Sequence, residues 1–320
     1  MRASAEYSGT GALSHLPRHP QEHRRQAQER GEASHVGTRR DEHRRGQGRV
    51  NLIYGESEDE ARAPDRAETL DRVPVAAATP ADFTTPASRA FRYVLVQPEG
   101  NVRFDSVSML AEALPNPRRG AFRSSDDLIN RIWDVSARTL ELNSREFYFD
   151  GIKRDRWVWS GDANQSYLMN YYLAFDQGTV QRTMWALRGK DPVEQHINTI
   201  VDYSFYWFVS IYDYYLFTGD KELVQRMYPR MKSLMDFVLA RRNRNGLVEG
   251  LPGDWVFIDW PPQEMPKDGE LSAEQLLFAR SLEAMALCAR LVGDTRAERE
   301  EMTAFAAGLL PAASPRYLMG

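Results

Sequence analysis

The chain has 320 residues, of which 42% are hydrophobic, 11% aromatic and 27% charged, and its formal net charge is −4. This ordinary globular composition excludes a collagenous, disulfide-stapled or wholly disordered chain, and no run of about eighteen apolar residues exists to cross a membrane as a helix. The single cysteine, Cys288, excludes an internal disulfide and a cysteine-based zinc site. Charge then divides the chain. Residues 1–50 hold ten Arg, no Lys and six Asp or Glu, a balance of +4, so the rest carries −8. Five of the six His (His15, His19, His23, His35, His43) fall in the same stretch, while all seven Trp follow residue 132.

Residues 1–48 have little apolar content beyond Tyr7, Leu13, Leu16 and Val36. They are expected to form a disordered basic arm, because so little burial cannot offset the entropy of ordering. Nucleic-acid binding would ask for Lys and interleaved aromatics, and both are absent. The arm also lacks the apolar core of a secretory signal, which points to a cytoplasmic protein. Residues 49–115 read as a partial β domain. Strands are predicted over 49–54, 91–96 and 101–106, with the Pro-, Ala- and Thr-rich stretch 73–88 as loop.

Helices are predicted from Ser124 onward. Ser124-Ser-Asp-Asp127 is an N-cap cluster ahead of Leu128, Ile132, Val135 and Leu142. Asp162-Ala-Asn-Gln165 resembles a capping box before Tyr167, Leu168, Tyr171 and Tyr172. Further helices are predicted over 177–189, over the intensely aromatic 201–217, from Asp220 to about Arg242, from the Ser272-Ala-Glu-Gln275 capping box to about Val292, and from Asp294 to about Leu310. Residues 312–320 read as an irregular tail. The order is helix, short turn, helix, longer loop, the pattern of αα-hairpins. Aromatics and acids crowd the loops at one end of each pair, which favours a toroid over a solenoid.

The segment Asp150-Gly-Ile-Lys-Arg-Asp155-Arg-Trp157-Val-Trp159-Ser-Gly-Asp162 carries the most chemistry. Carboxylates supply a general acid and base and bind hydroxyls, while Trp faces cover the C–H faces of a sugar ring. Plainer roles stand beside these. Asp162 equally fits an N-cap, Asp150 an Asx turn before Gly151, and Asp155 an ion pair with Arg154 or Arg156. A general acid must hold its proton near neutral pH, so that role requires both guanidiniums to point away from Asp155, toward Asp150 and Asp162 for example. Burial beside Trp157 and Trp159 would help it. The sequence shows no metal site, and no cofactor is expected. Cys288 reads as a small buried hydrophobe.

This thirteen-residue run resembles the signature of bacterial α-L-rhamnosidases of glycoside hydrolase family 78, the six-hairpin glycosidases. Arg89-Ala-Phe-Arg-Tyr-Val94 resembles the strand closing that family's preceding β domain, and Pro252-Gly-Asp-Trp255 resembles a further active-site loop. The resemblance implies a mainly α fold, a partial (α/α)6 toroid preceded by a small β-sandwich remnant. It implies inverting hydrolysis of terminal α-L-rhamnose from an oligosaccharide or glycoside, with no nucleic-acid or membrane partner. By position Asp155 takes the general-acid place. Asp150 and Asp162 would bind rhamnose hydroxyls with Arg154 orienting them, and Trp159, Asp254 and Trp255 would line the sugar pocket. Two departures stand out. The family often has Glu at the Asp155 position, so a shorter acid must approach by a backbone shift or a different substrate pose. Gly151-Ile152 replaces the usual Cys-Pro.

Twelve helices with loops would need on the order of 350 residues, and roughly 200 follow residue 124. Residues 120–311 are therefore expected to be the N-terminal half of the ring, with the general base on a later loop outside the chain. The alternative function is a catalytically incompetent fragment or sugar-binding remnant. A lyase on a similar toroid would rely on Tyr, His or Asn, and His196 is the only His of the body.

Overall fold

A computed structural model describes residues 2–6, 13–14, 34–37, 46–77, 84–102, 106–111, 114, 116–260 and 266–294. The expected last helix to Leu310 and the tail 312–320 lie outside the described residues. The strands are β1 (Arg2–Glu6), β2 (Leu13–Ser14), β3 (Ser34–Gly37), β4 (Gly46–Gly55), β5 (Thr69–Ala77), β6 (Tyr93–Gly100) and β7 (Ser106–Ala111). The helices are α1 (Glu58–Ala61), α2 (Asp127–Asn143), α3 (Ser160–Leu173), α4 (Gln177–Arg188), α5 (Val201–Thr218), α6 (Lys221–Ala240) and α7 (Ser272–Val292), with a single 3₁₀ turn at Ile197–Thr199. They fall into two compact units. The strands, α1 and residues 141–145 and 151–156 form one, and the long helices form the other.

The strand unit holds two antiparallel sheets, β2-β6-β4-β5 and β1-β7-β3. Period-two alternation sends β4 side chains to both faces. Val50, Leu52 and Tyr54 join Val73, Val75, Val94 and Val96 on one side. Ile53 joins Tyr93, Leu95 and Ala61 of α1 on the other. Val107 and Met109 of β7 pack against the first cluster. The expected loop at 73–88 begins instead as β5. Val73 and Val75 alternate inward, and Pro74 is tolerated because β5 is the sheet edge. Of the strand expected at 101–106, residues 103–105 lie outside the described residues, and β7 is described from Ser106. β1, β2 and β3 are short pieces of residues 1–48, paired with β7 and β6 where composition alone suggested an unordered arm. The rest of that stretch lies outside the described residues.

In the helical unit two expected caps form, at Asp126 and Asp220, and Asp176 adds one that the sequence reading did not name. Asp126 Oδ1 accepts the Leu128 N–H at 2.7 Å, Asp176 accepts from Thr179 at 3.2 Å and Asp220 from Leu223 at 2.9 Å, each satisfying an orphan donor of a first turn. Gly219 ends α5 with φ 68°, a conformation glycine adopts without steric cost. Two expected capping boxes do not form. α3 starts two residues early, at Ser160, so Asp162 lies inside its first turn. At α7 the Gln275 amide bonds instead to Val248 N and O, at 3.0 and 2.7 Å.

α5 packs against α3, α4, α6 and α7. It is buried nearly all round, with Phe205, Trp207, Phe208, Ile211 and Tyr214 without exposed surface, as its continuous aromatic sequence requires. α3, α5 and α7, every second helix, lie side by side. They run parallel, since Asp162 meets Tyr203 and Phe205 meets Phe278. Parallel helices in one layer with antiparallel partners α4 and α6 form an arc of a helical toroid, and the arc gathers three helix N-termini at one end.

Candidate functional site

Each of those three N-termini carries an acid in its first turn: Asp162 on α3, Asp202 on α5 and Glu274 on α7. Carboxylates are favoured there by the exposed N–H groups and the helix dipole. Three links hold the ends together. Asn198, at φ 54°, donates through Nδ2 to Val158 O at 3.0 Å and accepts the Ser160 N–H at 3.0 Å, capping α3 from a distant segment. Trp255 and the start of α5 exchange two bonds: Trp255 N to Thr199 O at 3.0 Å, and Val201 N to Trp255 O at 2.9 Å. The Tyr203 hydroxyl donates to Asp162 at 3.1 Å.

Aromatic rings continue that framework. Trp159 meets Tyr203 edge-on at 6.2 Å, and Tyr203 meets Phe257 edge-on at 5.6 Å. Phe257 in turn meets Trp255 at 6.0 Å and Trp260 at 5.3 Å. Gly161 permits the first of these contacts. A Cβ there would lie 2.7 Å from the Tyr203 ring.

The three acids are treated differently. Asp202 is fully buried and accepts the N–H groups of Phe257 at 2.9 Å and Ile258 at 3.3 Å, which fixes the loop bearing Trp255. Burial pushes its carboxyl up from the usual range, partly countered by those bonds. Glu274 has no exposed surface, and neither oxygen finds a partner among the described residues. Burial, and then the neighbouring Asp202 charge, push it up to about 9. Asp202, with two donors, is better placed to carry the charge, and Glu274 keeps its proton at neutral pH. Burial also raises the Tyr203 and Tyr206 phenols.

The sequence motif forms a loop closed on itself. Asp150 N donates to Trp157 O at 3.1 Å, and Asp150 Oδ1 accepts the Trp157 N–H at 3.0 Å. Asp150 thus reaches seven residues on, to Trp157. Asp155 and Arg156 take left-handed backbone, φ 60° and 51°, which costs a non-glycine residue on the order of 1 kcal/mol. Lys153 pairs with Glu60 at 2.6 Å, Glu56 at 3.7 Å and Glu68 at 3.8 Å. Arg154, largely exposed, reaches Glu68 at 3.7 Å, and Arg156 donates to Ser88 O at 3.1 Å. Both guanidiniums therefore turn away from Asp155, as an acid role requires, but toward Glu68 and a carbonyl rather than toward Asp150 and Asp162. Asp155 is exposed, not buried, and its side chain makes no hydrogen bond or ion pair with a described residue.

Asp254 has a framework partner. Arg241 pairs with it at 2.7 Å and the Leu251 N–H donates to it at 3.1 Å, leaving the side chain 7% exposed. His196 is buried with Nδ1 3.0 Å from Ser204 Oγ, and burial lowers it to about 4. Among the described residues no group of three or more His, Cys, Asp or Glu is placed to hold a metal. No helix among them is long and apolar enough to cross a membrane. Sequence reading missed Asp202, Glu274 and Asn198. For the two acids the available signal was an acidic residue in the first turn of a helix.

The family described as bacterial alpha-L-rhamnosidase 6 hairpin glycosidase domain matches residues 117–313, more than half of the chain. The family described as alpha-rhamnosidase-like, bacteroidetes, N-terminal matches residues 19–96, crossing the boundary expected at residue 48. A curated alpha-L-rhamnosidase of Formosa agariphila is 25% identical over 199 residues, 54% of this chain and 21% of that protein. The crystal structure of the GH78 family rhamnosidase of Bacillus sp. GL1 has a TM-score of 0.74 at 23% identity, covering 88% of this chain and 30% of its own. A rhamnosidase from Klebsiella oxytoca with rhamnose bound has a TM-score of 0.69 at 20% identity, covering 89% and 60%. The chain thus spans about a fifth of the curated relative and less than two thirds of either solved chain.

Proposed function

This chain belongs to the bacterial alpha-L-rhamnosidase six-hairpin glycosidase family, and from that membership we propose that it is a glycoside hydrolase of the α-L-rhamnosidase type. Its substrate is a glycoside or oligosaccharide ending in α-L-rhamnose, and the glycosidic bond is cleaved with inversion. Asp155 protonates the departing oxygen. The observation that carries this assignment is the freedom of Asp155. It is the one carboxylate of the motif with no hydrogen bond or ion pair among the described residues, and both flanking arginines are engaged elsewhere.

In this reading bound substrate covers the exposed Asp155 and excludes water from the step. The left-handed backbone at Asp155 supports the reading that the shorter acid is presented by a backbone change. Asp150 and Asp162 bind rhamnose hydroxyls, and Arg154 orients them. Trp159 and Trp255 cover the C–H faces of the ring. Asp254, held by Arg241, positions Trp255 rather than touching sugar. An inverting enzyme needs a second carboxylate roughly 6.5–9.5 Å from the acid to activate water. None of the described residues is assigned that role.

The second reading is a sugar-binding chain without turnover. The exposure of Asp155 favours it, since no described residue encloses its side chain. Hydrolysis of 4-nitrophenyl α-L-rhamnoside, with the anomer of released rhamnose read by NMR, tests both. Release of the β-anomer supports the hydrolase. Rhamnose binding without hydrolysis supports the second reading, and absence of both overturns the pair.

A further inference from the structure

We propose that Lys153 is a positioning residue for Asp155, anchored by Glu60 of α1 with Glu56 and Glu68 beside it. This rests on the rhamnosidase reading, with Asp155 as the acid, and adds what holds that acid in place. Residues 151–156 belong to the compact unit of the strands, whereas Asp150 and Trp157 on either side of them belong to the helical unit. The part of the motif that carries the acid is therefore held by side chains from much earlier in the chain.

The anchor is built outward from the sheet. Ala61 is enclosed against Ile53, Tyr93 and Leu95. It ends α1, a single turn whose Ser57 Oγ accepts the Glu60 N–H at 3.1 Å. One Glu60 carboxylate oxygen accepts the Glu56 N–H at 2.9 Å, which fixes the side chain in the manner of a capping box. The other accepts from Lys153 Nζ at 2.6 Å, with Glu56 at 3.7 Å and Glu68 at 3.8 Å from the same ammonium. The Lys153 side chain is only 17% exposed. Burial alone would lower its ammonium, but the Glu60 bond and the three carboxylate charges hold it above its ordinary value, so the clamp stays charged. On the other side of Asp155, Arg156 donates to Ser88 O at 3.1 Å. Asp155 and Arg156 keep φ of 60° and 51°, conformations that persist only where surrounding contacts hold them. A cation bonded to an acid favours its charged form, so a hold placed on the neighbours fixes the backbone and leaves the acid free.

The test is kinetic, on the full chain. Lys153→Met should lower kcat by about 10- to 100-fold with KM changed by less than about 2-fold. The loss should be larger for methyl α-L-rhamnoside than for 4-nitrophenyl α-L-rhamnoside, whose leaving group needs less help from an acid. Glu60→Gln should act in the same direction, and Lys153→Arg should restore most of the activity. Glu99→Gln, which breaks the exposed pair with Arg49 in the same unit, should change nothing. In the Asp155→Asn background Lys153→Met should add little further loss, because it acts through the acid. Equal losses for the two substrates, a loss undiminished in Asp155→Asn, or no loss at all would overturn the positioning role while leaving the rhamnosidase reading intact. A parent chain that hydrolyses neither rhamnoside overturns both.

Discussion

The loop Asp150–Trp157 and the N-terminal ends of α3, α5 and α7 are both rich in acids, and the protein treats them in opposite ways. In the loop, Asp155 is exposed and has no partner among the described residues, while the neighbouring cations are bound to other groups. At the helix ends, Asp202 is buried and tied to two backbone donors, and Glu274 is buried with no hydrogen-bond partner among the described residues. The comparison separates an exposed carboxylate from those enclosed in the frame. It also shows why charge in a sequence does not identify chemistry, since the most perturbed acid, Glu274, lies outside the motif.

The comparison breaks first at Glu274. Its folded value, about 9, stands above the ordinary 4.5 of an unfolded chain. Between those values the folded state binds one more proton than the unfolded state. The stability this group contributes is therefore full below pH 4.5 and is lost progressively as pH rises toward 9. Glu274→Gln removes that slope. The variant should gain stability over the parent as pH is raised, by on the order of a few kcal/mol between pH 5 and 8. Urea denaturation at several pH values measures it, and a pH-independent difference would show that Glu274 is not held neutral.

Asp202→Ala comes next. It strands the N–H groups of Phe257 and Ile258 in a buried setting and should cost about 3 kcal/mol. It should also dequench or quench the fluorescence of Trp255 as the loop loosens. A loss below about 0.5 kcal/mol would place Asp202 outside the frame. Smallest is Tyr203→Phe, which removes the bond to Asp162 while keeping the ring contacts with Trp159 and Phe257. It should cost about 1 kcal/mol in denaturation, and a neutral result would mean that this bond adds nothing to the joining of α3 to α5.

Much of this frame was readable in advance. Asp126 and Asp220 marked two helix starts, and the aromatic run 203–217 marked the helix that the structure encloses. The misreadings have local causes. At α7 the Ser-x-x-Gln spacing looked like a cap, but Gln275 found better partners in Val248, 27 residues away. Pro74 suggested loop because an edge strand cannot be told from a loop before its neighbours are known. The thirteen-residue motif was legible as a unit, yet the partners of Lys153, Arg154 and Arg156 were not, because Glu60, Glu68 and Ser88 are some 70 to 90 residues earlier in the chain. Glu274 was missed because its environment is made by α5 and does not exist in the sequence around it.

The most direct measurement is hydrolysis of 4-nitrophenyl α-L-rhamnoside by the full chain and by Asp155→Asn, with urea stability followed in parallel. An exposed, unpaired acid that protonates the leaving oxygen should lose activity by about 100-fold or more on conversion to Asn, with stability changed by less than about 0.5 kcal/mol. A variant that hydrolyses the rhamnoside as fast as the parent would contradict the assignment of Asp155 as the general acid.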